Sequence, residues 1–277
     1  MKLLLLLSLF LSPVIEAKDF VYDSTKYLKI KPYIKGTAMN FRETRYQTSR
    51  LHSAFSNKSD SELKQVFAIW EDQSKEISKE SFNSMPMVFQ HAYLIFEDFY
   101  QPQNLSRLHQ SEKEDEFYKN ILYYIIQSKI RIRVTTDIDT KTKHDLSNIA
   151  YSTEILDFKP HIKGDAKPLY FNHYYKRVFK SFLGSNGKIM GDFGSQKITF
   201  EDSQKRMDFL DTHVKFFRGQ DSSIIIPSQP EVTSIIFNKN FTKAKIHFSL
   251  FYEGGEAEYE YKNNKWNLMK SELTWIA

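Results

Sequence analysis

Apolar positions recur every three or four residues through much of the first half of the chain. In "SDSELKQVFAIWEDQSKEI" the residues Leu63, Val66, Phe67 and Trp70 make one stripe. Ser59, followed three residues later by Glu62, has the form of a capping box that starts a helix. "MPMVFQHAYLIFEDFY" repeats the pattern with Val88, Phe89, Ala92, Tyr93, Phe96 and Phe99, behind a proline, Pro86, suited to a first helical turn. "SEKEDEFYKNILYYIIQS" offers a second capping box, Ser111 and Glu114. It predicts a further helix with Phe117, Ile121, Leu122 and Ile125 facing inward. At "KIRIRVTTDID" the period drops to two. That is a strand with Lys129, Arg131 and Arg133 on its wet face.

Beyond residue 150 the pattern moves from helix to sheet. "PLYFNHYYKRVFKSFLG" reads as a helix stopped at Gly184, and "EDSQKRMDFLDTHVKFFRG" as a helix over roughly 201–218, with Met207, Leu210, Val214 and Phe217 on one face. "KIMGDFGSQKITF" suggests a short hairpin around Gly194-Ser195. Four strands are expected at 222–226, 231–238, 242–253 and 256–276, the last broken at Asn263-Asn264. Gly254-Gly255 and Asn263-Asn264 are both suited to two-residue hairpin turns. That choice sets Leu250 opposite Tyr259 and Phe248 opposite Tyr261, then Tyr261 opposite Trp266 and Tyr259 opposite Leu268. One face then carries Phe248, Leu250, Tyr252, Ala257, Tyr259, Tyr261, Trp266 and Leu268, and the glutamates Glu253, Glu256, Glu258 and Glu260 point the other way. The parity slips before Leu273, which calls for a bulge near Lys270-Ser271.

These elements predict an α+β protein: a mainly helical region over 18–150, then an α+β roll over 151–277 with a curved antiparallel sheet packed by helices. The ending, "FTKAKIHFSLFYEGGEAEYEYKNNKWNLMKSELTWIA", resembles the last three strands of the nuclear transport factor 2-like (SnoaL-like) superfamily. The resemblance is carried by Ala244, Ile246, Phe248, Gly255, Ala257, Tyr259, Asn263, Trp266, Leu268, Thr274, Trp275 and Ile276. It implies a cone-shaped roll serving either as a binding or dimerisation module or as an enzyme with an Asp/His or Asp/Tyr pair inside the cone. No such pair can be assigned along the strand pattern, whose inward face offers only phenol hydroxyls.

Composition adds a destination. Lys2 is followed by the apolar run "LLLLLSLFL", an "SP" break and a small residue at Ala17. That is the pattern of a signal peptide over residues 1–17, and it is too short to span a bilayer. No later segment reads as membrane-spanning. The chain has no cysteine, so it has neither disulfide nor thiol nucleophile. Together with the Lys, Asn, Ile and Tyr bias, this indicates a bacterial periplasmic or secreted protein. The net charge is +5, spread without a basic block, which argues against nucleic-acid binding.

Candidate chemistry is sparse. Asp137 and Asp139 in "DIDTKTK" lack the rest of a phosphatase or calcium loop, and Lys141 and Lys143 neutralise them. The eight histidines form no zinc spacing; His91 and His173, flanked by aromatics, read as half-buried core residues. No serine elbow, phosphate loop or dinucleotide fingerprint is present. No metal or cofactor is expected. Tyr252, Tyr259, Tyr261 and Trp266 are the candidate lining of an apolar pocket with polar tips; the competing reading is core under the helices. The expectation is an exported non-enzymatic protein binding a small apolar ligand or a protein partner through its roll, with homodimerisation as one form of partnership. The alternatives are a small-molecule enzyme of isomerase, dehydratase or hydrolase type, and a glycan or cell-envelope binder.

Overall fold

The structure is a computed structural model that describes residues 41–109, 115–136, 138, 149–171, 173–184, 198–219 and 223–276. The expected signal peptide, the Ser111/Glu114 box, the Gly194-Ser195 hairpin, and Asp137 and Asp139 lie outside these residues.

The first half supplies helices α1 (Phe41–Ser56), α2 (Asp60–Gln73), α3 (Lys79–Asn83), α4 (Met87–Phe99) and α5 (Ser106–His109). Ser59 caps α2 by accepting from the Glu62 backbone N–H at 3.2 Å. The reciprocal half of the capping box is not made. The Glu62 carboxylate turns instead to Ser53 and Asn57 at the end of α1, at 2.8 and 3.0 Å, and ties the two helices together.

Strands β1 (Tyr123–Gln127), β2 (Ile130–Thr135), β3 (Ile149–Ile155) and β4 (Lys167–Phe171) follow. Next come helices α6 (His173–Leu183) and α7 (Phe200–Leu210) and short strands β5 (Phe217–Arg218) and β6 (Ile224–Ile225). The chain closes with β7 (Glu231–Asn238), β8 (Lys243–Leu250), β9 (Glu253–Lys262) and β10 (Lys265–Ile276). Gly184 stops α6 with φ +68°, the left-handed backbone expected of a helix C-cap.

The main sheet has six strands in the order β10-β9-β8-β7-β2-β3. It is antiparallel except where β2 meets β7 in parallel, so it joins a strand from before residue 150 to strands after it. Its apolar face carries Ile130, Ile132, Val134, Ile235, Phe237, Ile246 and Phe248, packed against α4. A second core gathers α1, α2, α6 and α7 around Phe67, Trp70, Phe179 and Phe182. The two-stranded parallel ribbon of β1 and β4 is the wall between the cores. Tyr124, Ile126 and Tyr170 face one core; Tyr123, Ile125, Leu169 and Phe171 face the other.

Three expectations are corrected, two of them by that wall. "FYKNILYY" is not a helix: 115–120 are turns, Tyr123–Gln127 is a strand, and Leu122 is exposed. "PLYF" is likewise strand, and its helix begins only at His173. A strand buried on both faces is apolar throughout, so it shows no period of two and passes for a helix. The third correction is the helix expected to 218, which ends at Leu210; Phe217 belongs to β5.

The meander keeps its faces but not all of its register. Asn263 and Asn264 both have positive φ, and Trp266 faces Tyr261 as expected. The register shifts lie between Leu268 and Lys270 and between Leu273 and Trp275, on either side of the expected bulge. Gly254-Gly255 is not a turn. The chain turns at Phe251-Tyr252, and Tyr259 meets Ala244, not Leu250. The offset is six residues. Because six is even, the side chains of β9 from Glu256 onward stay on the faces assigned to them, whereas Glu253 falls opposite Leu250, on the apolar side, and Tyr252 lies in the turn.

Candidate functional site

Three of the four candidate residues share one place. Tyr261 and Trp266 are opposed across the β9–β10 hairpin with ring centroids 5.1 Å apart. Tyr259 is buried on the same face. Tyr252 is elsewhere: at the β8–β9 turn, its ring is 5.4 Å from Phe217 and its hydroxyl 3.3 Å from Ser223.

The space expected for a ligand beside Tyr261 and Trp266 is occupied by His91 of α4. Its ring stacks on Phe241 at 5.2 Å with 5° between planes, and meets Tyr261 at 5.1 Å and Trp266 at 5.6 Å edge-on. The His91 Nδ1 and the Trp266 indole N–H have no hydrogen-bond partner. Burial lowers the His91 pKa from 6.5 to about 4. The unfolded chain therefore takes up a proton near pH 6.5 that the folded chain refuses until about pH 4. The stability this neutral imidazole preserves is complete above pH 6.5 and is lost as pH falls towards 4. His91→Phe is expected to shrink the loss of unfolding free energy between pH 7 and pH 5 by about 2 kcal/mol. Urea titrations at the two pH values check this; an unchanged difference would remove His91 from the acid response.

Tyr259 meets charge. Its hydroxyl donates to Asp98 Oδ2 at 3.0 Å, the same oxygen that Arg107 Nη2 reaches at 3.0 Å. Arg107 Nη1 also donates to the Asp98 backbone carbonyl at 2.8 Å. Burial, and then the nearby Asp98 charge, push the Tyr259 phenol well above its ordinary range. The phenol thus keeps its proton and serves as a donor that ties β9 to α4. A second ionisable group lies on the same helix. Burial raises Glu97 beside His161, whose Nδ1 is 2.9 Å from Glu76 Oε2. Asp98, Arg107, Glu97 and Glu76 were not identified from sequence. Their positions become informative only once α4 is laid across the sheet.

The opposite face of the hairpin is charged in columns. β8 presents Lys243, Lys245 and His247; β9 presents Glu256, Glu258 and Glu260; β10 presents Lys270 and Glu272. Lys245 Nζ is 3.4 Å from Glu256 and 3.7 Å from Glu258, and His247 Nε2 is 3.6 Å from Glu256. The acidic row is therefore flanked by basic residues all along β8 and by Lys270 on β10, where Glu272 faces Glu256; each opposite-charge pair across the strands stabilises a sheet by roughly 0.2–1 kcal/mol. A depression of about 290 Å³ opens on this face between Lys243, Lys245, Glu258 and Glu260, with Ile138 and Met269 as apolar walls. Met269, at the first register shift of β10, is 61% exposed.

Among the described residues no group of three or more His, Asp or Glu is placed to hold a metal ion. No helix among them is long and apolar enough to cross a membrane. Compared with known protein families, curated proteins and solved structures, the chain matches none.

Proposed function

We propose that the chain is an exported, non-catalytic binding protein built on a roll of the nuclear transport factor 2-like kind, and that it takes its ligand on the charged face of β8–β10. The carrying observation is the depression between Lys243, Lys245, Glu258 and Glu260. It lies behind a sheet whose other face is filled by packed rings. Its volume of about 290 Å³ is at the small end for ligand sites. Ammonium groups on one side, carboxylates on the other and the Met269 thioether suit a small molecule that carries both charges and a short apolar part. This moves the expected site from the aromatic row to the face behind it. Export rests on the signal-like residues 1–17.

The enzyme alternative has a carboxylate–phenol pair to draw on in Asp98 and Tyr259. That phenol, however, is a committed donor with a raised pKa, so it is poorly suited to exchange a proton near neutral pH.

A thermal-shift screen of amino acids and other small zwitterions tests the reading. A ligand raises the melting temperature of the wild type by mass action, and Lys245→Ala loses that response while melting normally on its own. A response confined to apolar compounds and unchanged in Lys245→Ala would return the site to the aromatic row.

A further inference from the structure

Among the described strands, β10 closes one edge of the six-stranded sheet. An edge strand presents backbone N–H and C=O groups on its open side and is a template for pairing. Glu258 and Glu256 lie opposite Lys270 and Glu272. Counting from the Asn263-Asn264 turn, these are the hydrogen-bonded pairs. Ser271 and Leu273, the residues between and beyond them, therefore turn their backbone groups outward.

We propose that the chain self-associates through β10, two copies pairing antiparallel about a two-fold axis at Ser271. Charge selects this register. With the axis at Ser271, Lys270 lies opposite Glu272 of the second copy, and Glu272 opposite its Lys270. Moving the axis by one residue would set Lys270 on Lys270 or Glu272 on Glu272, which is unfavourable. Within one chain Lys270 Nζ is 2.6 Å from Glu272 Oε2, and both side chains are half-exposed. Two such pairs meeting at the axis form a square of alternating sign. Ser271 lies at this centre, opposite Ala257 of β9 on the apolar side of the sheet, with its hydroxyl enclosed and unpaired within the chain. The register shifts on either side confine the regular segment to Lys270–Leu273. The shared ladder is short, and the dimer belongs to the weak, concentration-dependent class.

The absence of cysteine makes cross-linking a clean test. Ser271→Cys is expected to give a disulfide-linked dimer under mild oxidation. Glu272→Cys alone is not, because that register holds the two copies of residue 272 more than about 7 Å apart. In sedimentation velocity the wild type shows a dimer that grows with concentration. Lys270→Glu raises its dissociation constant about tenfold, and adding Glu272→Lys to it restores the wild-type value. All variants are compared with the wild type by melting temperature. A wild type that stays monomeric, with Ser271→Cys no more cross-linked than Glu272→Cys, would overturn the proposal. So would a dimer indifferent to Lys270→Glu.

Discussion

Trp266→Ala is expected to lower the unfolding free energy by about 3–5 kcal/mol, while Glu258→Ala, on the same hairpin, changes it by no more than about 0.5 kcal/mol. Trp266 is 4% exposed and is enclosed by Tyr261, Phe237 and His91, with ring centroids 5.1 to 5.6 Å away. Its indole N–H makes no hydrogen bond, so truncation removes packing and leaves a cavity, with no polar partner orphaned. Glu258 is exposed on the other face, 3.7 Å from Lys245, and a screened surface pair of that kind contributes little. Denaturant unfolding followed by circular dichroism reads both. Equal losses would mean that the two faces of the hairpin have been assigned wrongly.

The contrast also shows what the sequence could and could not reveal. Strands β7–β10 alternate because one side is buried and the other is wet, so the face of each residue can be read along the chain. Asn263-Asn264 fixed the last hairpin because positive φ at two successive positions suits asparagine. By contrast, β1 and β4 are buried on both sides, and no alternation marks them. The candidate site divides in the same way. Tyr259, Tyr261 and Trp266 could be placed on a common face. That Asp98 and Arg107 would meet the Tyr259 hydroxyl, and that His91 would fill the space beside Trp266, could not. Asp98 and Tyr259 are 161 positions apart, and period says which stripe of α4 is apolar but not which strand it crosses. The depression was hidden for a related reason. Its glutamates read as a solvated back, and their pairing with β8 lysines depends on a register six residues from the one that the glycines suggested.

Those glycines carry the other large effect. Gly255→Ala is expected to cost about 3 kcal/mol, although Gly255 is in a strand and not in a turn. The cause is space. A Cβ at Gly255 would be 2.3 Å from Phe248 Cζ and 2.8 Å from the Glu272 carbonyl oxygen. Phe248 sits directly opposite in register, 2% exposed, with Phe99 of α4 against it at 5.2 Å. It cannot withdraw without disturbing the core, and the Glu272 carbonyl is backbone. The glycine thus allows a phenylalanine to lie across the strand, filling volume that its own side chain leaves empty. If so, shortening the ring should relieve the clash. Phe248→Leu destabilises by itself, but combined with Gly255→Ala it is expected to cost at least about 1 kcal/mol less than the sum of the two single changes. A glycine needed for backbone conformation would give strictly additive losses, and that result in a double-mutant cycle would refute the steric account.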